Sequence, residues 1–163
     1  MLANRFKIRG LSMALAAVLL VVPTGCGTSI GSGIDAAFFV GSWGLVGVTD
    51  ESGDRTNAVN MVVDEMLVTF TADGAFTLVV DYTPAAGQPQ QTIIGTYTVT
   101  PTGQLILTTP EAALAFNATA EGANGVALTA PAVLVEAVIA GTGADIGLVG
   151  SVTLRLGRVT FGR

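Results

Sequence analysis

The sequence predicts an all-β domain of about eight antiparallel strands. Two observations carry this. Apolar residues alternate with polar ones at period two over short runs, and turn residues separate the runs at short spacing. No stretch combines a 3.6-residue apolar period with helix caps. The pattern allows two architectures, a closed up-and-down barrel and an open two-sheet β-sandwich.

The first strand is expected over Trp43–Val48 and the second near Met66–Thr71. Ala72-Asp73-Gly74 then makes a tight turn, because Asp-Gly supplies the positive φ of short hairpins. The third strand runs from Phe76 to Tyr82. Its apolar face is Phe76, Leu78, Val80 and Tyr82, with Thr77 and Asp81 opposite. Pro84 to Gln91 is a polar loop. Thr92–Thr100 follows as the fourth strand, and Thr100-Pro101-Thr102-Gly103 turns the chain into Leu105–Thr109. Ala112–Ala118, Gly125–Thr129 and Ser151–Phe161 complete the set, with Gly157 marking a bulge in the last. Pro131–Val149 is apolar and then glycine-rich. It reads as a long hairpin, a short helix or a lid over one barrel end.

The N-terminus reads differently. Arg5, Lys7 and Arg9 precede an apolar run, Leu11–Val22, without any acid. That is the build of an export signal, and the run is shorter than the ~20 residues that span a bilayer. It ends in Val21-Val22-Pro23-Thr24-Gly25-Cys26-Gly27, which contains the chain's one cysteine. This segment resembles a bacterial lipoprotein signal, with Pro23 standing where such signals usually carry an aliphatic residue. The resemblance implies cleavage before Cys26 and acylation of Cys26. Each buried methylene contributes about 0.8 kcal/mol, so two or three acyl chains hold a protein to a membrane where one does not. By resemblance to the sorting rule of Gram-negative lipoproteins, Gly27 rather than Asp after the cysteine implies the outer membrane, facing the periplasm, in an organism that has one. Plain secretion is the alternative. The expected organisation is a signal peptide at 1–25, a lipidated cysteine and flexible Gly/Ser tether at 26–40, and one domain at 41–163.

Three short motifs carry a second resemblance. Gly41-Ser42-Trp43 opens the first strand, Val68 to Phe76 forms a strand, Asp-Gly, Phe hairpin, and Gly95-Thr96-Tyr97 is followed by Gly103-Gln104-Leu105. Together they resemble the small bacterial lipocalin-like lipoproteins, over roughly Gly41 to Arg158. The resemblance favours the barrel over the sandwich. It implies that Trp43 closes the barrel base under Arg155 or Arg158, through a cation–π contact of about 0.5–2 kcal/mol. It also implies a cavity for a small apolar ligand or lipid, with Trp43, Phe76, Tyr82, Tyr97 and Phe116 as the candidate lining. The bland alternative is that these rings fill a solid barrel.

Composition narrows the chemistry. The chain has no histidine, and after Gly25 it has no lysine and four arginines against 12 acidic residues. Ser-His-Asp and Cys-His nucleophile systems are excluded, as is a lysine Schiff base. So acidic a chain lacks the footprint of nucleic-acid binding. Asp50, Glu51 and Asp54, with Asp64 and Glu65, form acidic groups between the first two strands. They read as a solvated loop ahead of a weak calcium site or a carboxylate pair for acid/base catalysis. Gly141 to Gly147 misses the spacing of a dinucleotide-binding loop by one residue. Neither a cofactor nor a metal is expected, nor is enzyme activity. Two functions remain: a lipid-anchored envelope protein that binds a small apolar ligand, or a non-catalytic envelope protein that presents loops to a protein partner.

The Cys26→Ser variant is expected to lose its acyl mass and its membrane partition. Intact-mass spectrometry and membrane fractionation check this; a variant that keeps both removes the anchor.

Overall fold

The computed structural model describes residues 34–139 and 146–160. Cys26, the signal and Gly/Ser segments before Ile34, Gly141–Asp145 and Phe161 lie outside the described residues. Nine strands form one antiparallel sheet: β1 (Gly41–Asp50), β2 (Gly53–Asp54), β3 (Val63–Phe70), β4 (Ala75–Tyr82), β5 (Gln91–Val99), β6 (Gln104–Thr108), β7 (Ala113–Ala120), β8 (Gly125–Pro131) and β9 (Ser151–Val159). From β3 onward each strand pairs with the next in sequence. β1 pairs with β3 on one side and β9 on the other, which closes an eight-stranded up-and-down barrel. The two-residue β2 only extends β1 at its end. Closure rules out the open sandwich and leaves the long strands without free outer edges at the seam.

Alternation places the core. Phe76, Leu78 and Val80 of β4, Val126, Leu128 and Ala130 of β8, and Val152, Leu154 and Leu156 of β9 are buried. The intervening residues face outward. Each fully buried side chain of this kind contributes about 1.5–3 kcal/mol. Two bulges keep the pattern inward where the sequence spacing breaks. In β1 the register against β9 shifts between Leu45 and Gly47. Leu45 and Val48, three residues apart, therefore both face the core, and Val46 is thrown outward, 65% exposed. The expected bulge at Gly157 is corrected accordingly: Gly157 pairs in register with Gly44 and Gly125, and the extra residue is Val46 across the seam. In β3 a second shift lies between Val63 and Glu65. It brings Val63 and Met66 to the same side, so this strand starts three residues before the expected Met66.

Among the described residues are three short α-helices, two of which the sequence pattern does not announce. α1 (Ala36–Phe39) occupies the end of the expected tether, and α2 (Thr56–Asn60) falls within the expected acidic loop. Both are one turn or little more, too short for a period to register. α3 (Ala132–Ile139) resolves the three-way choice for the start of the Pro131–Val149 segment in favour of a helix. It lays Val135, Val138 and Ile139 on the core at the barrel mouth. Among the described residues no helix is long and apolar enough to cross a membrane.

Gly95 marks the tightest approach in the wall. A Cβ there would lie 2.1 Å from the Thr108 carbonyl oxygen and 2.8 Å from the Phe76 ring. Neither can retreat easily, one being strand backbone and the other a core ring. Gly95→Ala is expected to destabilise the domain by about 1–3 kcal/mol, read by urea denaturation; an unchanged midpoint would mean that the wall relaxes here.

Candidate functional site

The up-and-down topology gives the barrel two ends. At one end lie the turns at 71–74, 100–103 and 121–124, with the start of β1 and the end of β9. This end is plugged. α1 sits under it, capped at its N-terminus by Asp35, whose carboxylate accepts from the Phe38 amide at 2.9 Å. The helix is so short that its last carbonyls have no helical partners. They are met from the barrel instead. The Trp43 indole donates to the Phe39 carbonyl at 2.7 Å, while Arg158 donates to Phe38 at 2.7 Å and Val40 at 2.8 Å. Trp43 and Arg158 are cross-strand partners in the β1–β9 seam, and the guanidinium lies 4.4 Å from the Trp43 ring centroid. Gly41 clears the way. Its φ is +126°, and a Cβ there would stand 2.8 Å from an Arg158 nitrogen. Arg155, the other arginine considered for this place, is half-exposed on the outer face and pairs with Glu121 at 3.3 Å.

The aromatic residues considered as pocket lining divide between the two ends. Trp43, Phe76 and Tyr97 pack with Phe39 and Phe70 in a chain of ring contacts; Phe70 and Tyr97 meet edge-on at 4.8 Å between centroids. The Tyr97 hydroxyl lies between the carbonyls of Thr71 (3.1 Å) and Ala36 (3.2 Å). Burial, with the nearby Asp73 charge, raises its pKa. Phe116 is buried opposite Leu105, toward the same end. Tyr82 stands apart at the mouth, where its hydroxyl donates to the Gln91 side chain at 2.7 Å. Burial raises its pKa too.

The concave site is elsewhere. A cleft of about 430 Å³ opens beside the mouth, between the start of β5, the β6–β7 turn and the end of α3. Ile93, Ile94, Pro110, Glu111, Leu114 and Val138 are among its lining residues, and none of the five candidate aromatics is. Its size falls within the ~300–1,000 Å³ of small-molecule sites. The cleft exists because the strands have unequal lengths. β5 pairs with β4 along Gln91–Thr96 but with β6 only along Thr96–Val99. The β6–β7 hairpin turns back at Thr109, closed by the Thr109 amide on the Ala112 carbonyl at 2.8 Å. Pro110 in that turn has no N–H to extend the ladder.

Asp50, Glu51 and Asp54 of the β1–β3 connection are taken up by the backbone, while Asp64 and Glu65 are exposed on β3. Asp50 accepts from the Ser52 amide (2.8 Å) and hydroxyl (2.6 Å) and from the Val149 amide (3.1 Å). Glu51 accepts from the Ser151 amide at 3.2 Å, and Glu136 of α3 from the Leu148 amide at 2.8 Å. Arg55 donates to the Ile146 carbonyl at 2.8 Å, with its Nε 3.9 Å from Asp50. These bonds clasp Ile146–Ser151, the lead into β9, against the mouth. Asp54 accepts from the Thr56 amide at 2.9 Å. The carboxylates thus end in structural bonds rather than converging on a common point. Among the described residues no group of three acidic or cysteine side chains is placed to hold a metal ion.

No protein-family model matches the chain, and no curated protein matches it.

The Ser52 hydroxyl, with the Val149 and Ser52 amides and the Arg55 charge, holds the Asp50 carboxyl below its ordinary value of 3.8 against the opposing effect of desolvation. A depressed folded pKa means stability that is present above the unfolded pKa and lost as pH falls through the folded one. Asp50→Asn is therefore expected to lower the thermal midpoint at pH 7. The gap from wild type should narrow only below pH ~4. Melting curves from pH 7 to pH 2.5 test this, and a constant gap would contradict it.

Proposed function

We propose that this protein is a lipid-anchored cell-envelope binding protein, non-catalytic, with a lipocalin-like barrel that holds a small apolar ligand at its lateral cleft. One observation carries the binding reading: a cleft of ligand size whose wall includes Ile93, Leu114 and Val138, with Thr92 and Glu111 as polar groups beside them. On this reading the site lies beside α3, and the buried aromatic cluster packs the opposite end of the barrel. The lipocalin-like resemblance is supported by the Arg158–Trp43 stack at the plugged end. The anchor and the envelope location, with an outer-membrane address facing the periplasm, are supported by the run that ends in Cys26-Gly27. The non-catalytic reading is supported by the missing histidine and by carboxylates already committed to backbone amides.

The neutral fluorescent probe N-phenyl-1-naphthylamine tests the cleft directly. It is expected to bind the full-length protein with blue-shifted, enhanced emission. Leu114→Trp, which fills the hollow from its partly buried wall, is expected to weaken uptake at least tenfold while leaving the far-UV spectrum unchanged. Uptake that is indifferent to Leu114→Trp would place the probe elsewhere and remove the cleft as the site.

A further inference from the structure

Among the described residues, the wall that lines the cleft has a strand edge whose ladder pairing stops early. Along β5, residues alternate between facing β4 and facing β6. The Tyr97 amide donates to Gly74, on the β4 side, at 2.8 Å. By alternation Gly95, Ile93 and Gln91 also face β4, while Thr92 and Ile94 present their N–H and C=O groups to the other side. There β6 has already ended: its pairing with β5 stops at Thr96↔Thr108. The edge at Thr92–Ile94 thus offers two donors and two acceptors in strand spacing, directly on the cleft. Ile94 itself is 63% exposed.

We infer that the cleft accepts an extended cationic peptide, which adds as an antiparallel strand to Thr92–Ile94 and seats an apolar side chain against Ile93, Leu114 and Val138. This rests on the reading of the cleft as the binding site, and it replaces a free apolar molecule there by the apolar side chain of a peptide. Backbone decides the class. An acyl chain or sterol filling the hollow would shield the four polar groups from water without bonding them, at a cost of about 1–3 kcal/mol for each group left unpaired. A peptide strand bonds all four, as in strand addition to open sheet edges. Charge decides the sign. Glu111 lines the cleft. No basic residue lines it. The three described arginines are all engaged elsewhere: Arg55 on Ile146 and Asp50, Arg155 on Glu121, Arg158 on Trp43 and α1. The one charged side chain that lines the cleft is thus a carboxylate, which favours lysine or arginine beside the seated apolar residue.

The test uses the full-length protein with acetyl-Lys-Val-Lys-Leu-Lys-Val-Lys-amide, its glutamate counterpart, and a version N-methylated at alternate residues. Amide hydrogen exchange is read at Thr92 and Ile94. In the free protein both amides should exchange at least tenfold faster than those of Ile93 and Gly95. The lysine peptide should slow them at least tenfold, and the glutamate and N-methylated peptides should not. Thr92→Pro, which removes an edge donor without touching the β4 ladder, should weaken the lysine peptide at least tenfold, whereas Thr92→Val, which keeps the N–H, should not. Binding that survives N-methylation and Thr92→Pro would overturn strand addition. Uptake of the naphthylamine probe with no binding of the lysine peptide would keep the cleft and overturn this inference alone, and failure of both would remove both. Protection of Thr92 and Ile94 that rises with protein concentration, without peptide, would assign the edge to a second copy of the chain and overturn the peptide.

Discussion

The seam between β1 and β9 is the constraint on which everything else rests. An antiparallel sheet with one apolar face stays soluble only if that face is enclosed, and here the enclosure is a single closure between the two ends of the domain. The seam runs from Ser42↔Val159 to Thr49↔Thr153. Its weakest feature is length mismatch, absorbed by ejecting Val46, and its strongest is the Trp43–Arg158 pair. That pair joins the seam to α1 by three hydrogen bonds on consecutive carbonyls. The same two residues close the wall and stopper its end. The Ile146–Ser151 clasp does the corresponding work at the mouth, using carboxylates rather than rings.

Much of the fold was legible because strand burial follows a two-residue period, which survives in a single sequence. The Asp73-Gly74 and Thr100–Gly103 turns were legible for the same local reason. What local pattern cannot show is register between strands far apart. The bulge belongs to β1 and not to Gly157, because it is set by how Leu45 and Gly47 meet Leu156 and Arg155 across the seam. The helices α1 and α2 were invisible because their stability comes from what they touch: Trp43 and Arg158 for α1, the barrel wall for α2. Val59 of α2, for example, is wholly buried.

The candidate site divides along the same line. The aromatic residues are visible in the sequence, but not whether they line a cavity or fill the barrel; Trp43, Phe76 and Tyr97 join Phe39 and Phe70 in one ring cluster, while Tyr82 stands at the mouth. The cleft was out of reach because no residue in it has a distinctive chemistry. It arises from β5 outrunning β6, a difference between two strands that no motif records. Pro110 was the available signal, since a proline where a ladder should continue forces the hairpin to turn. Its consequence appears only once β5 is known to reach back to Gln91.

The seam also sets a clock. Ser42 finds Val159 at a separation of 117 positions in sequence (159 − 42), so the contact that completes the wall has among the highest loop-closure costs the chain can present. Folding of such topologies falls in the millisecond-to-second range rather than the microseconds of local helical folds. Until β9 arrives, β1 and β8 are both open edges. A chain that stops before Ser151 has the hydrophobic core of a barrel and no means of shutting it.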